Sequence, residues 1–145
     1  MEFTVDREAM LDRLVSYVKM DTQSDENSET CPSTEKQKEL SRKLAEELNA
    51  LGLEGVEMDE HGYVYATLPE NFPADDSRRG QRPAFGLIAH VDTSPAVSGQ
   101  DVNPVVHRSY PGGPIELPKD LAPGMYLAVV RDPDGNMIEF VGPKK

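Results

Sequence analysis

Two amphipathic helices are predicted in the first fifty residues from the spacing of the apolar side chains. In the first helix, apolar residues recur three and four positions apart between Met10 and Val18. Asp6 precedes this pattern and is a favourable N-cap, because its carboxylate can accept a hydrogen bond from a free backbone amide. We therefore expect a helix that starts near Asp6 and ends around Met20.

The second helix is predicted to open within residues 32–37. Thr34 and Gln37 have the three-residue spacing of a capping box. Gly52 stands where a helix often ends, because glycine adopts the left-handed conformation of the residue after the C-cap at little cost. Between these signals, leucines repeat close to the helical period: Leu40, Leu44, Leu48 and Leu51.

The next segments favour β-structure. Residues 56–58 and 63–68 are rich in strand-forming side chains, and the turn-forming residues 59–62 separate them. An antiparallel hairpin is therefore expected. Residues 69–83 are polar and contain proline at both ends, which predicts a surface loop.

An almost continuous apolar run occupies residues 85–90. Such a run is typical of a strand buried on both faces, as in a parallel or mixed sheet that helices cover. The fold class predicted from the whole pattern is therefore α/β, with the two N-terminal helices packed on a mixed β-sheet. Residues 85–90 are expected to form its central strand.

The pattern changes after Pro95. Six of the twelve prolines lie between residues 95 and 123, and no helical or strand period survives there. We expect residues 93–124 to be irregular and poorly supported by their own contacts, since so long a loop is uncommon in a compact domain. Residues 125–130 and 136–141 are then predicted to pair as a terminal hairpin.

Composition narrows the possible functions. The length of 145 residues suits one domain, and the formal charge of −11 argues against binding to nucleic acid or to an anionic membrane surface. Most of the negative charge lies in residues 1–60. No apolar run is long enough to span a bilayer, and the acidic N-terminus lacks a signal-peptide pattern. With a single cysteine, Cys31, the chain has no internal disulfide, and a cytoplasmic location is predicted.

His90 and Asp92 form the sharpest local candidate for chemistry. They follow the predicted buried strand, and side chains at i and i+2 of an extended backbone point the same way. A neutral imidazole can bind a metal while a nearby carboxylate orients the ring. A histidine that is merely hydrogen-bonded at the end of a strand fits the same short motif. His61 and His107 are weaker candidates, in a turn and in the irregular stretch.

Residues 86–95, which contain both side chains, resemble the first metal motif of the peptidase T family. These are cytoplasmic tripeptide aminopeptidases in a clan of di-zinc exopeptidases. The resemblance covers about residues 10–117, and its further segments follow in the family order: 17–24, 32–35, 51–53, 61–64, 66–69, 98–104 and 110–113. It implies that residues 1–124 are an incomplete N-terminal part of the catalytic domain. Residues 125–145 are then a divergent C-terminal hairpin.

The resemblance implies a role for each of the two residues. His90 would be a ligand of one zinc, and Asp92 would be the catalytic aspartate that holds the histidine ring. In a complete site, two zincs activate a water that attacks the first peptide bond of a tripeptide. The chain departs from the family after Gly135, where an expected Asp-Asp pair is missing. It supplies one clear zinc ligand where a catalytic zinc needs about three, so we expect no activity from these residues alone.

Two alternatives stay open. The chain could be a non-catalytic α/β remnant, or binding module, that keeps the scaffold without the full metal set. Residues 130–140 also resemble the closing hairpin of vicinal-oxygen-chelate proteins, in which a glutamate at the position of Glu139 can bind a divalent metal. The surrounding turn sequence is generic, and this second resemblance covers one hairpin.

Overall fold

The computed structural model describes residues 4–112, 125–131 and 137–143, the last two ranges as backbone. Its helices and strands are, in chain order, α1 (Arg7–Val18), α2 (Gln37–Ala50), β1 (Glu54–Met58), β2 (Val64–Thr67), β3 (Asn103–His107), β4 (Met125–Arg131) and β5 (Met137–Pro143). The strands form two antiparallel sheets. One contains β1 and β2, and the other has the order β3-β5-β4.

The start of α1 confirms the predicted cap. The Asp6 carboxylate accepts a hydrogen bond from the backbone amide of Ala9 at 3.0 Å. The helix ends at Val18, close to the predicted position. Tyr17, in its last turn, donates a hydrogen bond to the carboxylate of Glu47 on α2, which joins the two helices.

The start of α2 differs from the prediction. Helix α2 begins at Gln37 with Lys36 as N-cap and has no side-chain cap, so the predicted capping box is wrong. The hydroxyl of Thr34 instead donates to the backbone carbonyl of Gln23 at 2.8 Å, a long-range contact that competes with capping. At the other end, Gly52 has a φ of 80° and follows the C-cap, as predicted.

The predicted hairpin at residues 56–68 is confirmed. Strands β1 and β2 pair antiparallel, with an irregularity between Glu54 and Glu57. In the turn, one carboxylate oxygen of Asp59 accepts hydrogen bonds from the amides of His61 and Tyr63 at 3.0 and 2.9 Å. The turn is thus closed by local polar contacts, which is why the sequence alone predicts it.

The second sheet corrects the expectation for residues 93–124. Residues 103–107 form β3, which pairs with β5, whereas the sequence indicated no strand there. Pro104 is tolerated because β3 is an edge strand, where a missing backbone donor is least costly. The terminal hairpin β4–β5 is confirmed. Its turn, residues 132–136, and residues 113–124 lie outside the described part of the chain.

Residues 85–90 are not the buried central strand that the apolar pattern predicted. They have neither helical nor strand hydrogen bonds, and every one of them is exposed. A strand needs a neighbour to pair with its backbone, and none of the described strands lies beside this segment. The α/β class is confirmed, but the expected mixed sheet is replaced by the two antiparallel sheets and an isolated parallel bridge between Gln23 and Thr93.

Buried side chains are few and mostly polar within the described residues. Leu40, on α2, is the one buried hydrophobic residue there, with 7% of its surface exposed. It is accompanied by four buried polar residues: Thr22, Gln23, Gln37 and Ser41. None of the described helices has the length and apolar character needed to cross a membrane. The expected boundary at residue 124 stays a prediction, although the pairing of β3 with β5 joins the two proposed parts.

Candidate metal site

His90 and Asp92 are in direct contact, as their spacing predicted. Nδ1 of the imidazole lies 3.1 Å from Oδ1 of the aspartate. Because an ionised carboxylate only accepts hydrogen bonds, the ring donates its Nδ1 proton, which leaves the lone pair of a neutral imidazole on Nε2. The histidine side chain is 84% exposed, so Nε2 is accessible from solvent.

This pair can supply one metal ligand of the kind that zinc prefers. A carboxylate that accepts a hydrogen bond from Nδ1 fixes the tautomer and the ring orientation of a histidine that binds metal through Nε2. Residues 4–112 place no group of three histidine, cysteine, aspartate or glutamate side chains together as a metal site would need. The geometry therefore fits a single zinc ligand and its supporting carboxylate.

The residues that follow Asp92 are held by the turn after α1. The amide of Thr93 donates to the carbonyl of Thr22 at 3.1 Å, and the carbonyl of Thr93 accepts from the amide of Ser24 at 2.9 Å. The Gln23 side chain, only 2% exposed, donates through Nε2 to the carbonyl of Pro95 at 2.9 Å. We call these paired segments, residues 22–24 and 93–95, the polar clasp.

Contacts from two residues directly before α2 fix the clasp in turn. Thr34 holds the carbonyl of Gln23 by the hydrogen bond described above. Beside it, the ammonium group of Lys36 lies 2.8 Å from one carboxylate oxygen of Asp21, and the other oxygen accepts from the amide of Gln23. The ends of both helices therefore determine where the chain leaves the His90–Asp92 pair.

An apolar cleft of about 610 Å³ opens next to His90. Its walls come from both helices, through residues such as Tyr17 and Leu44, and from the segment 89–102. Gly99 lines it where the backbone runs close to Asp21. A Cβ added at Gly99 would lie 2.7 Å from Oδ1 of that aspartate. A side chain at this position would therefore require the Asp21 carboxylate to move.

Tyr17 and Glu47 make an electrostatic link at the helical wall of the cleft. Burial and the hydrogen bond to Glu47 raise the pKa of Tyr17 to about 12. Burial by itself acts to raise the pKa of Glu47. The hydrogen bonds from Tyr17 and Lys43 outweigh this effect and hold the pKa of that carboxyl below its usual value.

The other candidates lie apart from the His90–Asp92 pair. His61 is in the β1–β2 turn, where Nδ1 donates to the carbonyl of Cys31 at 3.2 Å. His107 lies at the end of β3, opposite Met137. Glu139 lies on β5, where its backbone pairs with Val105 and Val129, and its side chain is outside the described part.

Sequence reasoning missed the support that surrounds the pair. Thr22 and Gln23 are almost completely buried, although their polarity and the loop-like sequence around them indicate exposed positions. The sequence feature that could have indicated their burial is that residues 17–24 belong to the family resemblance. Their local pattern carries no sign of the partner 70 residues away.

Comparison with curated proteins finds close relatives along most of the chain. The peptidase T of Bacillus pumilus is 46% identical over 115 residues, which are 79% of this chain and 27% of the relative. That of Clostridium acetobutylicum is 50% identical over 113 residues, or 78% and 26% of the two chains. The resemblance to peptidase T is confirmed. No family model matches the chain.

The share of each peptidase T that is matched is as informative as the percentage identity. The peptidase T of Geobacillus kaustophilus is likewise 46% identical, over 114 residues that make up 26% of its length. The chain thus spans about a quarter of the length of the relatives it matches. Sequence similarity at this level indicates a shared local fold in the matched region.

Proposed function

We propose that this chain supplies part of the site of a zinc-dependent aminopeptidase that releases the N-terminal residue of tripeptides. The contact between Nδ1 of His90 and Oδ1 of Asp92 carries the proposal, because it leaves Nε2 free to bind metal. The names of its relatives support the peptidase class. A short peptide substrate and a cytoplasmic location belong to the same proposal.

The resemblance implies a role for each of the two residues, and their contact supports these roles. His90 would hold one zinc through Nε2, and Asp92 would keep the ring in the required tautomer and make the imidazole a stronger ligand. When bound, zinc supplies Lewis-acid polarisation of a carbonyl and a water that is deprotonated near neutral pH. The polar clasp would keep the pair in place by anchoring the chain directly after Asp92.

We further propose that these 145 residues do not hydrolyse tripeptides by themselves. A catalytic zinc needs about three protein ligands, and residues 4–112 bring no such group together. One imidazole with its carboxylate binds zinc weakly, because a single bond offsets little of the cost of stripping water from the ion.

Zinc titration monitored by NMR of the histidine rings tests the site. We expect weak, saturable shifts of the His90 ring signals, loss of this response in His90→Ala, and weaker binding in Asp92→Asn. His61→Ala is the matched control, because it removes another exposed imidazole and should leave the His90 response unchanged. Zinc shifts that persist in His90→Ala and centre on His61 would contradict the assignment.

A tripeptide hydrolysis assay with added zinc tests the second part. We expect no cleavage above the rate in buffer. Cleavage that a chelator abolishes and zinc restores would refute the predicted inactivity. The effect of His90→Ala on that activity would then show whether the same residue is responsible.

A further inference from the structure

Gln23 is a buried glutamine beside the candidate metal site. Only 2% of its surface is exposed, and its side-chain amide donates through Nε2 to the carbonyl of Pro95 at 2.9 Å. Burying a polar side chain costs free energy unless its polar groups are hydrogen-bonded. The bond to Pro95 is therefore the feature that distinguishes Gln23 from an apolar side chain of similar size.

The bond to Pro95 replaces a backbone bond that the parallel bridge between Gln23 and Thr93 cannot form. The amide of Thr93 donates to the carbonyl of Thr22, and its carbonyl accepts from the amide of Ser24. A continued parallel ladder would next use the amide and the carbonyl of Pro95. Because proline has no amide hydrogen, the backbone ladder ends at Thr93. The side chain of Gln23 extends the pairing by one further bond.

The backbone of Gln23 is itself held at both of its polar groups. Its amide donates to Oδ1 of Asp21 at 3.1 Å, and its carbonyl accepts from the hydroxyl of Thr34 at 2.8 Å. The other carboxylate oxygen of Asp21 accepts from the ammonium group of Lys36 at 2.8 Å. A side chain positions another segment well when its own surroundings are fixed. The contacts therefore run from the residues directly before α2, through Gln23, to the residues that follow Asp92.

We propose that Gln23 is a positioning residue for the His90–Asp92 pair, which it restrains through its bond to Pro95. The inference rests on the proposed role of the pair in zinc binding. Asp92 is followed directly by the clasp, so the bonds of the clasp restrain the backbone that carries its carboxylate. A restrained carboxylate loses less conformational freedom when it accepts the hydrogen bond from Nδ1 of His90. The alternative is that the two-residue spacing alone brings the ring and the carboxylate together.

Nitrogen chemical shifts of the histidine rings test the proposal in the intact chain without metal, because they distinguish the two tautomers of a neutral imidazole. The spectra are recorded at about pH 8, where an ordinary histidine is neutral. Gln23→Met keeps the size of the side chain and removes the donor. We expect it to lower the ratio of the Nδ1–H to the Nε2–H tautomer of His90 about threefold. The His61 ring, whose Nδ1 donates to the carbonyl of Cys31, is an unchanged reference in the same spectrum.

Two further variants keep the test specific. Gln81→Met is the matched control, because the Gln81 side chain also donates to a backbone carbonyl, that of Ser77 at 2.6 Å, away from the site. Thr34→Val removes the hydroxyl that holds the carbonyl of Gln23, and we expect a smaller change in the same direction. An unchanged His90 ring in a folded Gln23→Met, or an equal change in Gln81→Met, would overturn the proposal. If circular dichroism shows that Gln23→Met does not fold, an unchanged ring in Thr34→Val overturns it instead.

Zinc titration separates this inference from the proposed function. We expect Gln23→Met to weaken the zinc response of the His90 ring about threefold to tenfold, and Gln81→Met to leave it unchanged. A normal zinc response in Gln23→Met would contradict the inference and leave the proposed function intact. An unmodified chain whose His90 ring does not respond to zinc would refute the proposed function. The tautomer ratio of the metal-free chain would still decide whether Gln23 positions the pair.

Discussion

The polar clasp and the segment 83–91 reverse the usual distribution of side chains. In the clasp, Gln23 is almost completely buried, while Ile88, a few residues before the other half of the clasp, is completely exposed. The difference lies in their partners. The amide and carbonyl groups of the clasp find hydrogen-bond acceptors and donors within the described residues, whereas the apolar segment finds neither a strand nor a covering face. In these two regions, whether a residue is buried depends more on the hydrogen-bonding partners available to it than on its hydrophobicity.

Truncation of a leucine to alanine should give the largest difference in stability between the buried part of α2 and the segment 83–91. Leu40→Ala removes the buried leucine of α2 and leaves a space that only partly closes, so we expect it to lower the free energy of unfolding by about 2 to 3 kcal/mol. Leu87→Ala should change it by less than about 0.5 kcal/mol, because Leu87 is already in contact with water.

Urea denaturation followed by circular dichroism measures both variants. Equal losses from the two truncations would show that Leu87 is packed in solution. The contrast between the two regions would then be wrong.

The difference between the regions also explains which elements could be predicted. The cap at Asp6, the turn at Asp59 and the contact between His90 and Asp92 depend on residues two to four positions apart, so the local sequence contains the whole interaction. The prediction of a buried strand at residues 85–90 was wrong. The apolar pattern of this segment indicates burial, but a strand also needs a neighbouring strand to pair with, and the local sequence does not show whether one is present.

Long-range contacts could not be predicted from the local sequence for the same reason. Strand β3 includes Pro104 and is stabilised by pairing with β5, more than thirty residues later, so it has no local signature. Thr34 has the spacing of a capping residue but reaches Gln23 instead. In both cases, a distant partner decides between structures that the local sequence permits equally. The proposed roles of His90 and Asp92 in zinc chemistry would depend on further residues in the same way.

Alanine substitutions at two glycines compare a backbone position close to Asp21 with one in the exposed segment 83–91. In Gly99→Ala, the new methyl group would lie 2.7 Å from Asp21, whose carboxylate is already held by Lys36. We expect a loss of about 1 to 2 kcal/mol in unfolding free energy. Gly86→Ala places a methyl group where nothing lies within 4 Å and where φ is not positive, so stability should not fall. Thermal unfolding of the two variants in parallel measures the difference, and a loss confined to Gly86→Ala would reverse the argument.

The smallest expected effect is a pH dependence that arises from the helical wall of the cleft. The pKa of Tyr17 is raised to about 12 in the folded chain, chiefly by burial and then by its hydrogen bond to Glu47, from an ordinary value of 10.0. A raised pKa means that folding favours the protonated phenol. Its contribution is complete below pH 10 and is lost as the pH rises towards 12. Because Tyr17 is only partly buried, solvent screening reduces this contribution to about 1 kcal/mol or less.

Tyr17→Phe isolates this contribution from other alkaline effects. The variant should lose the hydrogen bond to Glu47 and be slightly less stable at pH 8, but its stability should fall less steeply between pH 10 and 12 than that of the unmodified chain. Tyr65→Phe is the matched control, because Tyr65 is an exposed tyrosine on β2. If the slopes of all three proteins coincide, the phenol of Tyr17 is as exposed as that of Tyr65. The two helices would then be held together mainly by their apolar contacts.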